Sequence, residues 1–436
     1  MSEEQAGRDD LAEAGRIEGF GERLLGSLLD RAHTMPPQLI APLIAQEIAW
    51  IGGRDVTVLL QDYDQMTLVA LPGEGLVVDH DQPIDDSLAG LAFQTDEIVE
   101  QPWGDVVRLY VPLLDGTDRV GVLVLTLDHV DEHHRRLVRR LAGLVADMLV
   151  TKSMYTDRFF QARRRMPMSL SAEMQWQLLP PLMMTTPQVA VAGALEPAYD
   201  VAGDSFDYAL NGDVLHLCMI DAMGHGLGAA VVATVAIGAY RHARRSDVEL
   251  AELYAAMDAA VSDQFGPERF ATAQMAALDV TSGRLRWVNA GHPSPLLLRA
   301  GQVVAELDSP TTLPIGFGGD TPIVSERTLR RGDRVLFYTD GLIEEHIRGG
   351  AEFGDTRMRE VIVRVEADGV SVQESVRRMS RLLMLERGGA TTDDSTLLMI
   401  EWTGAPADDL ASTAGHAEPD PDDRADASWT EPTSDG

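Results

Sequence analysis

The chain of 436 residues has almost no cysteine or lysine, few aromatic residues and a large deficit of positive charge. Its single cysteine, Cys218, cannot form an internal disulfide, and its place in an apolar run predicts a buried side chain. Lys152 is the only lysine among 36 basic residues, which face 69 acidic residues and leave a net charge of −33. Because nucleic acids and anionic lipids attract basic surfaces, this charge argues against both as partners.

Long apolar runs are absent as well. No uninterrupted apolar run reaches the roughly 18 residues of a membrane-spanning helix, and the acidic stretch Met1 to Asp10 does not have the pattern of a signal peptide. The apolar fraction of 45% is ordinary for globular proteins. We therefore expect a soluble cytoplasmic protein, long enough for two domains that each have a core.

The first 150 residues show helical periodicity at both ends and strand patterns between them. Helices are predicted over 20–34 and 39–51, and a short helix runs into a strand between residues 86 and 100. The other predicted strands are 56–61, 67–71, 106–113 and 119–127. This order indicates a sheet framed by helices.

A long helix is predicted from Asp131 to Gln161, and its apolar residues form one stripe. The stripe consists of Leu137, Leu141, Leu144 and Met148. Because a single domain offers no obvious place to bury such a stripe, we expect two chains to pair through it as a homodimer. A second helix, predicted over 170–179, follows Pro167 and ends at Pro180.

The most informative stretch is Asp221 to Gly228. An apolar run ends at Asp221, a glycine-rich turn follows, and an alanine-rich run then begins, which predicts a strand, a tight turn and a buried helix. Such glycines either cradle a phosphate or let the chain bend around a metal, and no Walker-type lysine is present. A carboxylate at a strand end suits Mg²⁺ or Mn²⁺. Taken alone, Asp221 fits a helix cap equally well.

Three further loops place aspartates at strand boundaries. They contain Asp204 and Asp207, Asp340, and Asp393 and Asp394. Four such loops, if they converge, would supply the carboxylates of a binuclear metal centre.

The rest of the C-terminal half reads as many short strands with helices at intervals. The predicted strands are 269–280, 284–290, 295–299, 303–307, 323–329, 334–338 and 397–402, and the predicted helices are 226–243, 247–263, 356–365 and 372–386. Tight turns at Gly283 and Gly301 favour antiparallel pairing and a sandwich of two sheets covered by helices. After Trp402 the composition becomes acidic and poor in aliphatic residues, which predicts disorder.

The motifs resemble one known family. Gly-Asp-x-x-Asp, Asp-x-Met-Gly-His-Gly, Asn-Ala-Gly-His-Pro, Tyr-Thr-Asp-Gly and Asp-Asp-x-Thr occur in the order found in the metal-dependent (PPM, protein phosphatase 2C-type) serine/threonine phosphatases. Within that family they are similar to the bacterial branch named after the stage II sporulation protein E. Residues 35–150 resemble a GAF sensory domain, chiefly through Ser87 to Glu100 and the two strands after it.

These resemblances imply an α+β protein in which a four-layer α-β-β-α sandwich follows a GAF-like α/β sensory domain and a helical linker. The expected divisions are a disordered N-terminus 1–19, a GAF-like domain with flanking helices 20–150, a linker 151–180, a phosphatase domain 181–402 and an acidic disordered tail 403–436.

The family resemblance also implies the metal ligands. Asp221 would bridge two ions, Mn²⁺ or Mg²⁺. Asp340 and Asp393 would complete the ligands of the first ion, and Asp204 with the carbonyl of Ala222 would serve the second. These carboxylates are the expected catalytic residues.

The resemblance also bears on five more residues of these motifs. Asp207 and Asp394 are expected to orient metal-bound waters, with direct ligation as the alternative. Met223 stands where the eukaryotic branch has a histidine proton donor, which leaves the general acid open. His225 and His292 are candidates by residue type, with turn or packing roles as the alternative.

The expected activity is a metal-dependent protein-serine/threonine phosphatase acting on a phosphorylated anti-anti-sigma factor in a partner-switching pathway. The GAF-like domain would regulate it and would bind either an unknown small ligand or none. The alternative is a catalytically idle phosphatase fold that sequesters a partner. A serine hydrolase is excluded by the lack of a Gly-x-Ser-x-Gly elbow, and a zinc enzyme by the lack of paired His and Cys ligands.

Overall fold

The structure is a computed structural model that describes residues 35–78, 80–116, 118–200, 203–342, 354–387 and 394–408. The predicted N-terminal segment 1–19, the predicted helix 20–34, Asp393 and most of the predicted tail lie outside these residues. Among the described helices, none is long and apolar enough to cross a membrane.

The N-terminal domain is one antiparallel sheet with helices on both faces. Its elements are α1 (Ile40–Trp50), β1 (Arg54–Gln61), β2 (Thr67–Ala70), β3 (Gln82–Pro83), α2 (Leu88–Thr95), β4 (Val99–Trp103), β5 (Val106–Asp115), β6 (Asp118–Leu127) and α3 (Glu132–Ser153). The strand order is β3-β2-β1-β6-β5-β4. Because α1 and α3 cover one face and α2 the other, the central strands β1 and β6 are buried on both faces.

Helix α3 differs from its prediction in length and in packing. It ends at Ser153, and a separate helix α4 (Arg158–Arg163) follows after a break at residues 154–157. The continuous helix predicted to Gln161 is therefore wrong. Three residues of the apolar stripe, Leu137, Leu141 and Met148, are buried inside the domain with the strands of the sheet, and Leu144 is half-buried against the same core. The reason given for a homodimer is thereby removed, since one chain does bury the stripe.

The linker continues from α4 to α5 (Leu170–Leu178), which is capped by the Ser169 hydroxyl accepting the Ala172 N–H. Between the two domains, Tyr63 of the N-terminal domain packs edge-on against Trp176 of α5, with ring centroids 4.8 Å apart. The same cluster includes Tyr199 of the C-terminal domain. The linker helix therefore contacts both domains.

The C-terminal domain contains two antiparallel sheets. Its elements are β7 (Met183–Thr185), β8 (Val189–Glu196), β9 (Asp204–Asn211), β10 (Val214–Ala222), α6 (Leu227–Arg245), α7 (Leu250–Phe265), β11 (Ala271–Asp279), β12 (Arg284–Ala290), β13 (Leu296–Arg299), β14 (Gln302–Glu306), β15 (Ser325–Thr328), β16 (Asp333–Tyr338), α8 (Gly354–Glu366), α9 (Val372–Arg387) and β17 (Ser395–Trp402). One sheet has the order β15-β12-β11-β10-β9, and the other β14-β13-β16-β17-β8-β7. The strands and helices predicted here are confirmed, with ends that differ by a few residues.

Three apolar clusters hold this domain together. Side chains such as Phe206, Met219 and Leu398 fill the space between the sheets. Helices α6 and α7 pack on the outer face of the five-stranded sheet, and α8 and α9 pack on the outer face of the six-stranded sheet. The last contacts extend past β17, because the Thr403 N–H donates to the Gln188 carbonyl at 3.0 Å. The start of the predicted tail is thus anchored to the domain.

Candidate metal centre

Two of the predicted aspartates are direct neighbours across a strand pair. Asp204 begins β9 and Asp221 lies near the end of β10, and the two residues face each other in the antiparallel register. Paired residues of this kind put their side chains on the same face, roughly 5 Å apart at Cβ. Because the same strands place Phe206 and Met219 between the sheets, both carboxylates lie at the end of the inter-sheet space.

The second sheet reaches Asp204 through two threonine hydroxyls. Thr339 Oγ1 donates to Asp204 Oδ2 at 2.6 Å, and Thr396 Oγ1 donates to the same oxygen at 2.8 Å. The Thr339 hydroxyl in turn accepts the Thr396 N–H at 2.9 Å. These contacts fix one oxygen of a buried carboxylate and tie the ends of β16 and β17 to β9. The two threonines belong to the predicted motifs, but no role was predicted for them.

Asp340 and Asp394 are brought to the same place by the backbone. Asp394 Oδ2 accepts the Asp204 N–H at 3.1 Å. Asp340 starts a short 3₁₀ turn directly after Thr339, and the next residue, Gly341, lies against Asp394. A Cβ on Gly341 would stand 1.8 Å from the Asp394 carbonyl oxygen, so no residue with a side chain fits there. The glycine that follows Asp340 is thus required by close packing.

Ala222, whose carbonyl was predicted as a ligand, lies beside the loop that leads into Asp204. Its N–H donates to the Gly203 carbonyl at 3.1 Å. A Cβ on Gly203 would come within 3.1 Å of the Ala222 carbonyl oxygen, so the two backbones approach closely. Gln175 of α5 adds a contact that was not predicted, because its Nε2 donates to the Asp204 carbonyl at 2.7 Å. The spacing of motifs gave no signal for this long-range contact.

Asp207 does not join this group. It lies three residues after Asp204 on the same strand, so its side chain points to the opposite face. There its carboxylate binds Arg241 Nη2 at 2.9 Å and Arg244 Nη1 at 2.7 Å, both on α6. The role in orienting metal-bound water that was predicted for Asp207 is therefore wrong. The residue holds a helix on the sheet.

His292 has a structural position close to the carboxylates. Its Nδ1 is 2.8 Å from the hydroxyl of Thr272, which pairs with Asp221 across β10 and β11, and Asn289 bonds its backbone. Burial lowers the pKa of His292 to about 3, so it is not an imidazolium at neutral pH. His225, by contrast, is exposed in the turn after β10. His292 is therefore not a general acid at neutral pH, whereas a role for His225 stays a prediction.

Asp204, Asp221, Ala222, Asp340 and Asp394 are thus assembled at one end of the two sheets, and Asp393 lies outside the described residues. Asp204 and Asp394 are buried, whereas Asp221 and Asp340 are half-buried at the opening. All donors in this group are oxygens, which favours hard divalent cations over zinc or copper.

The C-terminal part of the chain is similar in sequence to known phosphatases. Residues 211–403 match the family model described as stage II sporulation protein E (SpoIIE). The phosphoserine phosphatase RsbP of Bacillus subtilis is 24% identical over 163 residues, which cover 36% of this chain and 40% of RsbP. The chain therefore matches less than half the length of that relative.

Solved structures with a similar chain path include the RsbU and RsbW domains of Rv1364c from Mycobacterium tuberculosis, at 29% identity and a TM-score of 0.45 over 53% of this chain and 64% of that one. The SiaA-PP2C domain of Pseudomonas aeruginosa has 21% identity and a TM-score of 0.45 over 53% of this chain and 94% of that one. The match to the family model confirms the resemblance read from the motifs. Residues 211–403 are thus similar to the stage II sporulation protein E (SpoIIE) family.

Proposed function

We propose that this chain is a metal-dependent protein phosphatase that removes phosphate from phosphoserine or phosphothreonine of a regulatory protein. The observation that carries the proposal is the meeting of Asp204 and Asp221 from one sheet with Asp340 and Asp394 from the other. A sandwich needs no cluster of acidic side chains at one end for its stability, since like charges repel. Such a cluster can bind divalent cations, and the bound cations can in turn bind a phosphate group.

The residues present fit Mn²⁺ or Mg²⁺, and we propose two ions per site. Asp204, Asp221, Asp340, Asp393 and the Ala222 carbonyl would hold them. Bound ions of this kind lower the pKa of water and neutralise phosphate charge. The proposed ligands are carboxylate and carbonyl oxygens only, in keeping with a hard cation.

A buried amide next to the carboxylates supports the same reading. Gln274 lies on β11, two residues from Thr272 and therefore on the face that carries Asp221. Neither Oε1 nor Nε2 of its side chain has a hydrogen-bond partner among the described residues. Buried amides without partners are costly, so this group can donate a hydrogen bond to, or accept one from, water held beside the carboxylates.

The residues around Asp204 set the orientation of its carboxylate. The hydroxyls of Thr339 and Thr396 hold one oxygen, and the Asp204 N–H binds Asp394. A carboxylate held by two hydroxyl donors, on a backbone that Asp394 also binds, needs little reorganisation when it binds a cation. Met223, which follows Ala222, has no group that can donate a proton. We therefore propose that Met223 does not act as general acid.

We propose that the substrate is a phosphorylated anti-anti-sigma factor, as the family resemblance implies and as the name of the relative RsbP, a phosphoserine phosphatase, supports. The chain's charge of −33 leaves nucleic acids and anionic membranes as unfavourable partners. A cytoplasmic location stays a prediction.

Regulation by the N-terminal domain is supported by a continuous set of contacts. We propose that this domain is GAF-like and that the C-terminal domain has the four-layer α-β-β-α arrangement. Tyr63 packs on Trp176, whose indole N–H donates to the Ala198 carbonyl at 2.8 Å. The neighbouring residue Gln175 binds the backbone of Asp204. A displacement of α5 by the N-terminal domain would thus move a predicted metal ligand.

The test is release of phosphate from p-nitrophenyl phosphate and from a phosphoserine peptide by the full chain in Mn²⁺ or Mg²⁺. We expect turnover that EDTA abolishes and that added metal restores. Asp340→Asn, which removes a charge at the half-buried mouth of the site, should lower it at least a hundredfold. A well-folded wild-type chain with no turnover on either substrate at any metal concentration would favour the idle binding module instead.

A further inference from the structure

An apolar surface lies directly beside the candidate metal centre. Four of its side chains are exposed in the part of the chain that the structure describes: Met223 at 43%, Leu227 at 48%, Val231 at 36% and Phe317 at 42%. We call this surface the apolar patch. Single exposed apolar residues are common, but a contiguous group of them marks a binding surface.

The members of the apolar patch are connected by contacts. The Met223 N–H donates to the Phe270 carbonyl at 3.1 Å, and the Phe270 ring stacks on Phe317 with centroids 4.5 Å apart. Leu227 and Val231 are one turn apart on α6, so they share one face of the helix. The patch therefore runs from the turn after Ala222 onto the first two turns of α6.

Arg269 connects the two parts of the apolar patch. Its guanidinium lies over Gly228, where a Cβ would meet Nη1 at 3.4 Å. Because Arg269 is the neighbour of Phe270 in the chain, its side chain reaches from the Phe270 side of the patch to the first turn of α6. Apolar side chains with one arginine at their edge are the composition that protein-binding surfaces favour.

The location of the apolar patch determines what can cover it. Met223 is two residues from Asp221, and Asp221 is half-buried at the opening of the site. A phosphorylated side chain can reach Asp221 only if the residues next to it in the substrate lie over the surface around the opening. The apolar patch is part of that surface, and a chain with a net charge of −33 disfavours acidic residues there.

We propose that the apolar patch is a substrate subsite, which binds aliphatic side chains adjacent to the phosphorylated serine or threonine of a protein substrate. This inference rests on the proposed phosphatase function and adds a preference among phosphoproteins. Hydrophobic contacts of this kind discriminate by about tenfold to a few hundredfold per site.

The experiment compares two phosphoserine peptides of equal length and charge. One has leucine and isoleucine beside the phosphoserine, and the other has alanine and glycine. We expect the wild-type chain to hydrolyse the aliphatic peptide with a kcat/KM about tenfold higher or more. The ratio of the two kcat/KM values does not depend on how much enzyme is folded, so it reports on the subsite alone.

Two variants test residues of the apolar patch, and a third variant serves as the control. Leu227→Ser and Phe317→Ser should each reduce the ratio to within about threefold of unity, since each removes part of the apolar contact. Val304→Ser removes an equally exposed aliphatic side chain, at 47%, from β14 of the other sheet and should leave the ratio unchanged.

Equal kcat/KM values for the two peptides in the wild type would overturn the subsite while leaving the phosphatase function intact. A preference that persists in both Leu227→Ser and Phe317→Ser would overturn it too. Hydrolysis of neither peptide would instead point to failure of the proposed function.

Discussion

Replacement of Thr339 by valine isolates the polar network that holds Asp204. The side chain of Thr339 is fully buried, and valine has nearly the same shape. The hydroxyl makes two hydrogen bonds, one to Asp204 Oδ2 at 2.6 Å and one from the Thr396 N–H at 2.9 Å. Thr339→Val therefore leaves a buried N–H without its partner and removes one of two hydroxyl donors from a buried carboxylate.

The size of the effect follows from the two lost bonds. A buried group left without a partner costs about 1–3 kcal/mol, and a bond to a charged acceptor contributes about 1.5–3 kcal/mol. Together these losses predict that Thr339→Val lowers the free energy of unfolding by about 2.5–6 kcal/mol. Loss of a residue that orients a metal ligand also weakens metal affinity by about tenfold or more. Thr339→Ser keeps the hydroxyl and should cost only about 1 kcal/mol through its lost methyl group.

The assay combines urea unfolding, followed by circular dichroism, with the Mn²⁺ concentration that gives half-maximal turnover. Thr339→Val should lower the stability to urea and raise the Mn²⁺ concentration that gives half-maximal turnover. Thr339→Ser should lower the stability to urea slightly and leave the Mn²⁺ concentration nearly unchanged. Thr234→Val serves as a matched control, because that hydroxyl bonds a helical carbonyl on the half-exposed surface of α6. Identical behaviour of the valine and serine variants would refute the role assigned to the Thr339 hydroxyl.

Three further changes test other parts of the structure. Asp207→Asn should destabilise the fold by about 3–5 kcal/mol, because Arg244 loses a buried ionic partner; a loss of Mn²⁺ affinity at unchanged stability would instead restore its predicted metal role. Burial lowers the pKa of His292 from 6.5 to about 3, so the unfolded chain binds the proton more readily below pH 6.5. His292 should therefore contribute a loss of about 2 kcal/mol between pH 7 and pH 5, so urea unfolding should show that His292→Asn loses about 2 kcal/mol less than the wild type over this range. Leu141→Glu should lower the melting temperature of the N-terminal domain, since Leu141 is fully buried within one chain; unchanged melting together with loss of a dimer in light scattering would revive the pairing through α3.

The sequence predicted best what depends on local pattern. Acidic residues at the boundaries of apolar runs located Asp204, Asp221 and Asp340 at strand ends, and the pairing of β9 with β10 places Asp204 beside Asp221. Strand alternation also explains why Asp207 is absent from the metal centre. It lies three residues after Asp204, and an odd spacing on a strand turns a side chain to the opposite face. The spacing of Asp204 and Asp207 is visible in the sequence, but the predicted role of Asp207 followed the motif resemblance instead.

Other features depend on contacts that no local pattern contains. The stripe on α3 is equally compatible with a partner chain and with a sheet of the same chain, and only the tertiary structure shows that Leu141 packs on the sheet. The hydroxyls of Thr339 and Thr396 reach Asp204 across more than a hundred residues of sequence. Gln175 reaches the same residue from the linker. Threonine and glutamine occur in every kind of environment, so their residue type carries no signal.

The measurement that tests the metal centre most directly is a calorimetric titration of the metal-free chain with Mn²⁺. The wild type should bind two ions per chain. Asp221→Asn, which changes the proposed bridging ligand at a half-buried strand end, should remove at least one of them while circular dichroism and the urea midpoint stay close to those of the wild type. Binding of two ions by Asp221→Asn with unchanged affinity, or no binding by a folded wild-type chain, would contradict the account.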